Sequence, residues 1–312
     1  LNGRVMVFDL GGGTFDISIA KVIGKKVDIM TSVGDKHLGG QDFDREIIKI
    51  LDKKYKKSKG KGLDDKDPVI LDIAERIKKL LSTKEKVSEI IEGPKGPLKI
   101  DISRKEFENS IDTFLEKIKM SMEDALDRAK IKASNISQIL LVGGSTRIPI
   151  INEIIKKVMK KNPTKGVNVD EAVACGAAIF AGLQNKGGLN SAQKKAISKV
   201  EMTDICPHNL GTIIAAVDQE RNQAVKINSI IIPRDTKLPA SITKEYAVLY
   251  DGQESIKCTV TQSEEQEEDI EFVVIIGEEQ LALAKNAKAG EKIKKAADPK
   301  AKKVAAGYNM KM

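Results

Sequence analysis

Two β-type runs, Arg4 to Leu10 (R-V-M-V-F-D-L) and Asp16 to Val22 (D-I-S-I-A-K-V), are separated only by Gly11-Gly12-Gly13-Thr14 and Phe15. So short a link cannot carry a crossover, so the runs form a hairpin whose turn is almost bare backbone. Glycines lacking Cβ let a polyphosphate come close to backbone N–H groups, and the Thr14 hydroxyl adds a donor. Asp9 and Asp16, at the two ends of the turn, can hold waters of a magnesium ion. A P-loop is excluded, because the G-K-[ST] ending is missing and a strand follows where a helix would be needed. Taken alone, a triple-glycine hairpin is as often a purely structural turn.

Further along, helical spacing alternates with strand-like runs. Phe43, Ile47, Ile48, Leu51 and Tyr55 keep helical spacing, and a second helix follows Asp67-Pro68 with Val69, Ile73, Ile77 and Leu80 on one stripe. A third is expected to start at a Ser103/Glu106 capping box and run to about Ile131. Ile136 to Val142 reads as a buried strand feeding Gly143-Gly144 and a helix from about Ile150, and Asp170 to Leu183 as a small-residue helix able to pack closely. This alternation is α/β. Asn185 to Lys199 is polar and reads as a linker. Short β-type runs with turn signals at Pro233, Pro239 and Asp251-Gly252 make a small β domain between Ile213 and Phe272, and a Lys/Ala-rich tail follows from Lys285.

Two more segments carry chemistry. In Gly143-Gly144-Ser145-Thr146-Arg147 the glycines admit a flat ligand, Ser145 offers a hydrogen bond and the Arg147 guanidinium can stack on a base. Its bland alternative is an ordinary strand-to-helix turn. Glu75, Lys78, Lys79 and Ser82 share one helix face, which suits ribose and adenine edges but equally describes a solvent face. His37-Leu38-Gly39-Gly40-Gln41-Asp42 adds a second glycine pair leading into a helix.

The net charge of +8 raises nucleic acid as a partner. The lysines, however, cluster at 53–61, 156–161 and the tail, where the lone Tyr55 and Tyr308 do not make the stacking platform that is needed, so none is expected. With 31% charged residues and no apolar run near the ~18 residues of a span, no membrane segment is expected either. Cys175, Cys206 and Cys258 have no C-x-x-C spacing, which suits a reducing compartment, and a cytoplasmic location is expected.

Taken in order, D-L-G-G-G-T-F-D, H-L-G-G-Q-D-F-D, A-E-R-I-K-K-L-L-S, L-V-G-G-S-T-R-I-P and D-E-A-V-A-C-G-A-A closely resemble the nucleotide-binding domain of the heat-shock-70 (DnaK-like) chaperone family, over about residues 1 to 185. Asp204 to Gly211 resembles the first strand of that family's peptide-binding β domain, in the D-x-C-P form of HscC-like bacterial members. The resemblance implies an α/β fold: a partial actin-like (ribonuclease H-like) ATPase domain over 1–184, with 36–135 approximately its second lobe. A linker over 185–203, a degenerate, incomplete β-sandwich domain over 204–284 and a basic tail over 285–312 would follow. It implies ATP or ADP with Mg2+ as cofactors. Gly11, Gly12, Gly13 and Thr14 would face the phosphates, with Asp9, Thr14 and Asp16 at the reacting end and Asp9 and Asp16 near the metal. Gly39 and Gly40 would lie by ribose and phosphates. Glu75, Lys78, Lys79, Ser82, Gly143, Gly144, Ser145 and Arg147 would enclose the adenosine, with Asp170 supporting them. Lys79 stands where many relatives have Arg, which implies a weaker clamp on adenine.

Unfolded peptide clients, J-domain co-chaperones and nucleotide exchange factors are the implied partners, with Tyr246, Leu249, Ile256 and Cys258 at the peptide groove. Relatives bring a first phosphate loop and a catalytic lysine ahead of the segment corresponding to Leu1. On that ground the chain alone is expected to bind ATP weakly and not hydrolyse it. Val200-Glu201-Met202-Thr203-Asp204 breaks the apolar linker run of relatives, which puts coupling between the two sites in doubt. An unpaired edge on the 4–22 hairpin is expected to promote self-association. A non-catalytic scaffold keeping the same fold is the alternative.

Overall fold

The computed structural model describes residues 2–283 and 308–311, except 165–167, 169–170, 186, 219–222 and 267–268. It divides into two compact units, Leu1–Met202 and Thr203–Met312.

In the first unit β1 (Asn2–Leu10) and β2 (Phe15–Ile23) pair antiparallel from Asn2↔Ile23 to Leu10↔Phe15, as the glycine link requires. Met6, Phe8, Leu10, Phe15, Ile17 and Ile19 alternate onto one face and are fully buried. The hairpin lies inside a larger sheet. β3 (Lys26–Asp35) pairs with β2, and β6 (Ile136–Val142) runs parallel to β1 on its other side. The sequence reading passed over β3 because Asp28, Thr31 and Ser32 interrupt its apolar pattern. Gly24, with φ of 62°, makes the turn that creates it. With β1 and β2 both paired on both sides, the open hairpin edge expected to drive self-association does not exist.

Helix α1 (Gly40–Lys59) buries Phe43, Ile47, Ile48, Leu51 and Tyr55, the expected stripe, and ends at Gly60 in the left-handed region with φ of 76°. Helix α2 (Pro68–Leu81) starts where Asp67 accepts the Val69 N–H at 2.8 Å, with Pro68 at the first position. Its buried face is Ile70, Ile73, Ala74, Ile77, Lys78 and Leu81; Val69, placed on that stripe by sequence, is 61% exposed. The face is thus rotated by one residue, which carries Lys78 inward. The hairpin β4 (Lys86–Ile91) and β5 (Leu98–Ser103) packs against α1 and α2. It escaped the sequence reading despite its Gly93-Pro94-Lys95-Gly96-Pro97 turn.

The expected third helix is two: α3 (Arg104–Ser110) and α4 (Asp112–Arg128), divided at Ile111. The Ser110 hydroxyl bonds back to the Phe107 carbonyl, and the fully buried Ile111 fixes the bend. Ser103 caps α3 by accepting the Glu106 N–H, but the Glu106 carboxylate pairs with Lys54 at 2.7 Å, so only half the capping box forms. Helix α4 packs on β2, β3 and α5 (Pro149–Met159), and one continuous apolar core joins these elements.

Helix α6 (Ala172–Gln184) was expected to pack closely, yet Val173, Ile179 and Phe180 are exposed and only Gly182 near its end is covered, by Leu189 and Ile197. The stretch read as linker contains helix α7 (Ser191–Ile197), capped by Asn190, and then β7 (Glu201–Thr203).

The second unit has a four-stranded sheet, in the order β12 (Val274–Ala282), β11 (Ser255–Ser263), β8 (Asn209–Asp218), β9 (Gln223–Ile232). A small core of Cys206, Leu210, Ile231 and Ile232 supports it, and β10 (Ala240–Thr243) pairs with β13 (Tyr308–Lys311). The basic tail lies outside the described residues over 284–307.

Candidate functional site

The glycine turn is held by the start of α1. The first N–H groups of a helix have no partner within it. Here Gly40 donates to the Gly11 carbonyl at 3.0 Å and Gln41 to the Gly12 carbonyl at 2.7 Å. The Asp42 carboxylate accepts the Gly39 N–H at 2.8 Å and closes the turn from the other side. The approach is so close that a Cβ on Gly39 would lie 2.6 Å from the Gly13 nitrogen.

The third glycine segment joins the same cluster. Ser145 is buried, and its hydroxyl donates to the Gly11 carbonyl at 2.9 Å. Gly143, with φ of 84°, sits against the end of β1, where a Cβ would meet the Leu10 carbonyl oxygen at 2.3 Å. Gly144 and Arg147 belong to a short 3-10 turn, and Arg147 is exposed. Segments separated by more than a hundred residues therefore share one place.

Gly12, Gly13 and Thr14 are exposed on the rim, and a Cβ on Gly12 or Gly13 would meet nothing within 4 Å. At the base of the turn Asp9, partly buried, and Asp16, exposed, stand opposite one another in the β1–β2 register. Burial raises the pKa of both, and the negative charge of Asp9 raises that of Asp16 further, against a small opposing effect of Lys36. A carboxyl raised in this way binds its proton more tightly in the folded chain. It is neutral in both states below pH 3.8 and weakens the fold as pH rises through its folded value. Asp16→Asn is therefore expected to raise the melting temperature at pH 7, with the gain vanishing near pH 3.5. Calorimetric melts at the two pH values check this.

The α2 residues divide. Lys78 is buried and donates to the Gly40 carbonyl at 2.9 Å and to Asp44 Oδ2 at 2.8 Å, so it braces the glycine cluster from below instead of presenting an open face. Burial pushes the Asp44 pKa up, and the Lys78 hydrogen bond and charge only partly offset it. Glu75 and Lys79 form an exposed i,i+4 ion pair at 2.9 Å, and Ser82 donates to the Lys78 carbonyl in its own helix. Asp170 lies outside the described residues. Gln41, Asp42 and Asp44 are the contributors the sequence reading missed. Their roles depend on which face of α1 meets the hairpin, and the pattern of one segment does not contain that information. A cleft of about 500 Å3 at the far end of α1, lined by Lys61, Gly62, Asp64, Glu92 and Pro94 among others, holds none of the predicted residues.

In the second unit Tyr246 donates to the Ser229 hydroxyl at 2.9 Å, Leu249 is exposed, and Ile256 and Cys258 share one face of β11, with Cys258 buried. Burial, and then the nearby Glu279, raise the Cys258 thiol pKa.

The family model described as Hsp70 protein matches residues 1–298. The chain belongs to the Hsp70 family. Its relatives include the chaperone protein DnaK of Thermosipho africanus, 36% identical over 270 residues, which cover 84% of this chain and 43% of that protein. The DnaK of Mycoplasmopsis pulmonis is 34% identical over 272 residues, with 84% and 42% covered. The stromal 70 kDa heat shock-related protein of Pisum sativum chloroplasts is 33% identical over 275 residues, with 85% and 36% covered. This Hsp70-family chain thus spans about two fifths of the length of the curated relatives it matches. Its mixed α/β first unit is consistent with the actin-like ATPase fold of the family.

Proposed function

We propose that the glycine cluster takes ATP or ADP with Mg2+, and that the chain serves as a nucleotide-binding part of an Hsp70-type molecular chaperone. The observation that carries this reading is the 2.9 Å bond from Ser145 to Gly11, which puts the turn suited to phosphate and the turn suited to a base in direct contact. The residues fit the ligand. Gly12 and Gly13 leave open space above bare backbone, and Asp9 and Asp16 offer two oxygen donors of the kind a hydrated magnesium ion accepts. Thr14, Gly39, Gly40 and Arg147 complete the lining, with Lys78 and Asp44 bracing it. Magnesium would supply charge neutralisation of the phosphates.

Within this proposal 1–184 form the nucleotide domain, 185–203 the linker and 204–284 a peptide-binding β domain using Tyr246, Leu249, Ile256 and Cys258. Unfolded peptides, J-domain co-chaperones and exchange factors are its partners, and a cytoplasmic location belongs to the same proposal. The scaffold alternative draws on one observation: Glu75, Lys78, Lys79 and Ser82 already hold intramolecular partners.

Gly13→Ala separates the two readings. Open space surrounds the added methyl, so the melting temperature should stay within about 1 °C. Mg·ADP affinity, measured by isothermal titration with millimolar ligand, should fall at least tenfold. Equal affinity in wild type and variant, or no heat from either, would overturn the nucleotide reading in favour of the scaffold.

A further inference from the structure

Strand β3 ends beside the glycine turn. Gly34 stands opposite Asp16 in the β2–β3 register, and a Cβ there would collide with Asp16 Oδ1. A few residues later Gly39 lies against the Gly13 nitrogen, as described above. The segment between them therefore runs along the rim of the turn, from the Asp16 carboxylate to the Gly13 backbone. Lys36 and His37, both exposed, occupy its middle. At ~3.5 Å per residue, the Cα of Lys36 is within about 7 Å of that of Gly34.

Among the described residues no hydrogen bond or ion pair holds the Lys36 ammonium. The neighbouring acids are taken. Asp35 accepts the His37 N–H at 2.8 Å and faces Lys117 at 3.7 Å, while Asp42 accepts the Gly39 N–H and pairs with Arg45. Burial and then the charge of Asp9 raise the pKa of Asp16, and Lys36 lowers it, so the field of Lys36 reaches that carboxylate. Around the same cluster Lys78 is held by the Gly40 carbonyl and Asp44, and Lys79 by Glu75. An uncommitted cation thus stands at the open rim of Gly12, Gly13 and Thr14, beside two carboxylates that repel an anion. A lysine is a flexible point charge, suited to phosphate oxygens.

We propose that Lys36 is a further binding residue of this site, its ammonium pairing with the distal phosphates of the nucleotide. It thereby favours di- and triphosphates over a monophosphate. This role rests on the nucleotide reading and adds to it a residue outside the glycine turns.

The test uses the full chain, labelled with 15N, and follows its amide shifts on titration with millimolar Mg·ADP and AMP. Lys36→Ala should weaken Mg·ADP binding about tenfold, the scale of one charge-assisted bond, and change AMP binding less than about twofold. Its melting temperature should stay within about 1 °C of wild type, since the side chain is exposed. Lys36→Arg keeps the charge and should stay within about threefold of wild type for Mg·ADP. Lys53→Ala, exposed on α1 about 20 Å from its first turn, also removes one positive charge and should leave both affinities unchanged. If wild type binds Mg·ADP and Lys36→Ala binds it equally well, Lys36 is a solvated lysine and the proposal falls while the nucleotide reading stands. Equal losses for Mg·ADP and AMP, or an equal loss in Lys53→Ala, overturn it as well. Absence of any shift with Mg·ADP in wild type overturns the nucleotide reading and this role together.

Discussion

Lys78→Met is expected to destabilise the first unit by about 3–5 kcal/mol, the usual result of removing one partner from a buried ion pair. Lys78 and Asp44 are both nearly sealed from solvent and meet at 2.8 Å, and Asp44 Oδ1 has no hydrogen-bond partner among the described residues. Methionine fills the volume of the lysine stem but leaves Asp44 charged and unpaired. In a unit of this size the melting temperature should drop by roughly 10 °C. The loss should shrink as pH falls and Asp44, already raised in pKa, takes up a proton. Adding Asp44→Asn should recover most of it at pH 7. Circular dichroism melts of the two single variants and the double variant decide the matter: a double variant no more stable than Lys78→Met alone would show that the unpaired carboxylate is not the source.

Gly143→Ala should cost at least about 3 kcal/mol, from two independent causes. With φ of 84° and ψ of 143°, the backbone occupies a region that residues with a Cβ avoid, at about 1–3 kcal/mol. The new methyl would also fall 2.3 Å from the Leu10 oxygen and 2.9 Å from Asp9 Oδ1. Leu10 is locked to Phe15 in the β1–β2 register and cannot retreat without opening the hairpin. Gly144→Ala, one residue on, meets nothing within 4 Å and should shift stability by less than about 0.5 kcal/mol. Urea unfolding of the pair tests the contrast; equal effects at both positions would contradict the packing at Gly143.

The parts of the fold legible in sequence are those whose signal is local. The β1–β2 hairpin follows from the shortness of its glycine link, the stripe of α1 from unbroken 3.6 spacing, and the start of α2 from Asp67-Pro68. What escaped has tertiary causes. β3 is polar where Thr31 is nonetheless fully buried, so alternation fails although pairing does not. The rotation of α2 that buries Lys78 is dictated by Asp44 and the Gly40 carbonyl waiting on α1, and no property of α2 announces them. In the candidate site the glycines and acids were identifiable because phosphate and magnesium chemistry needs those residue types. The interlock of Gly11 and Gly12 with Gly40 and Gln41 was not, since backbone carbonyls carry no sequence identity.

That interlock makes the hairpin tip and α1 a single mechanical piece. The helix is 20 residues, about 30 Å, and its other extremity at Lys59 and Gly60 adjoins the cleft beside Lys61 and Gly62. The turn at Gly11–Thr14 therefore cannot shift without the first turn of a helix that is anchored in the core all the way from Phe43 to Tyr55.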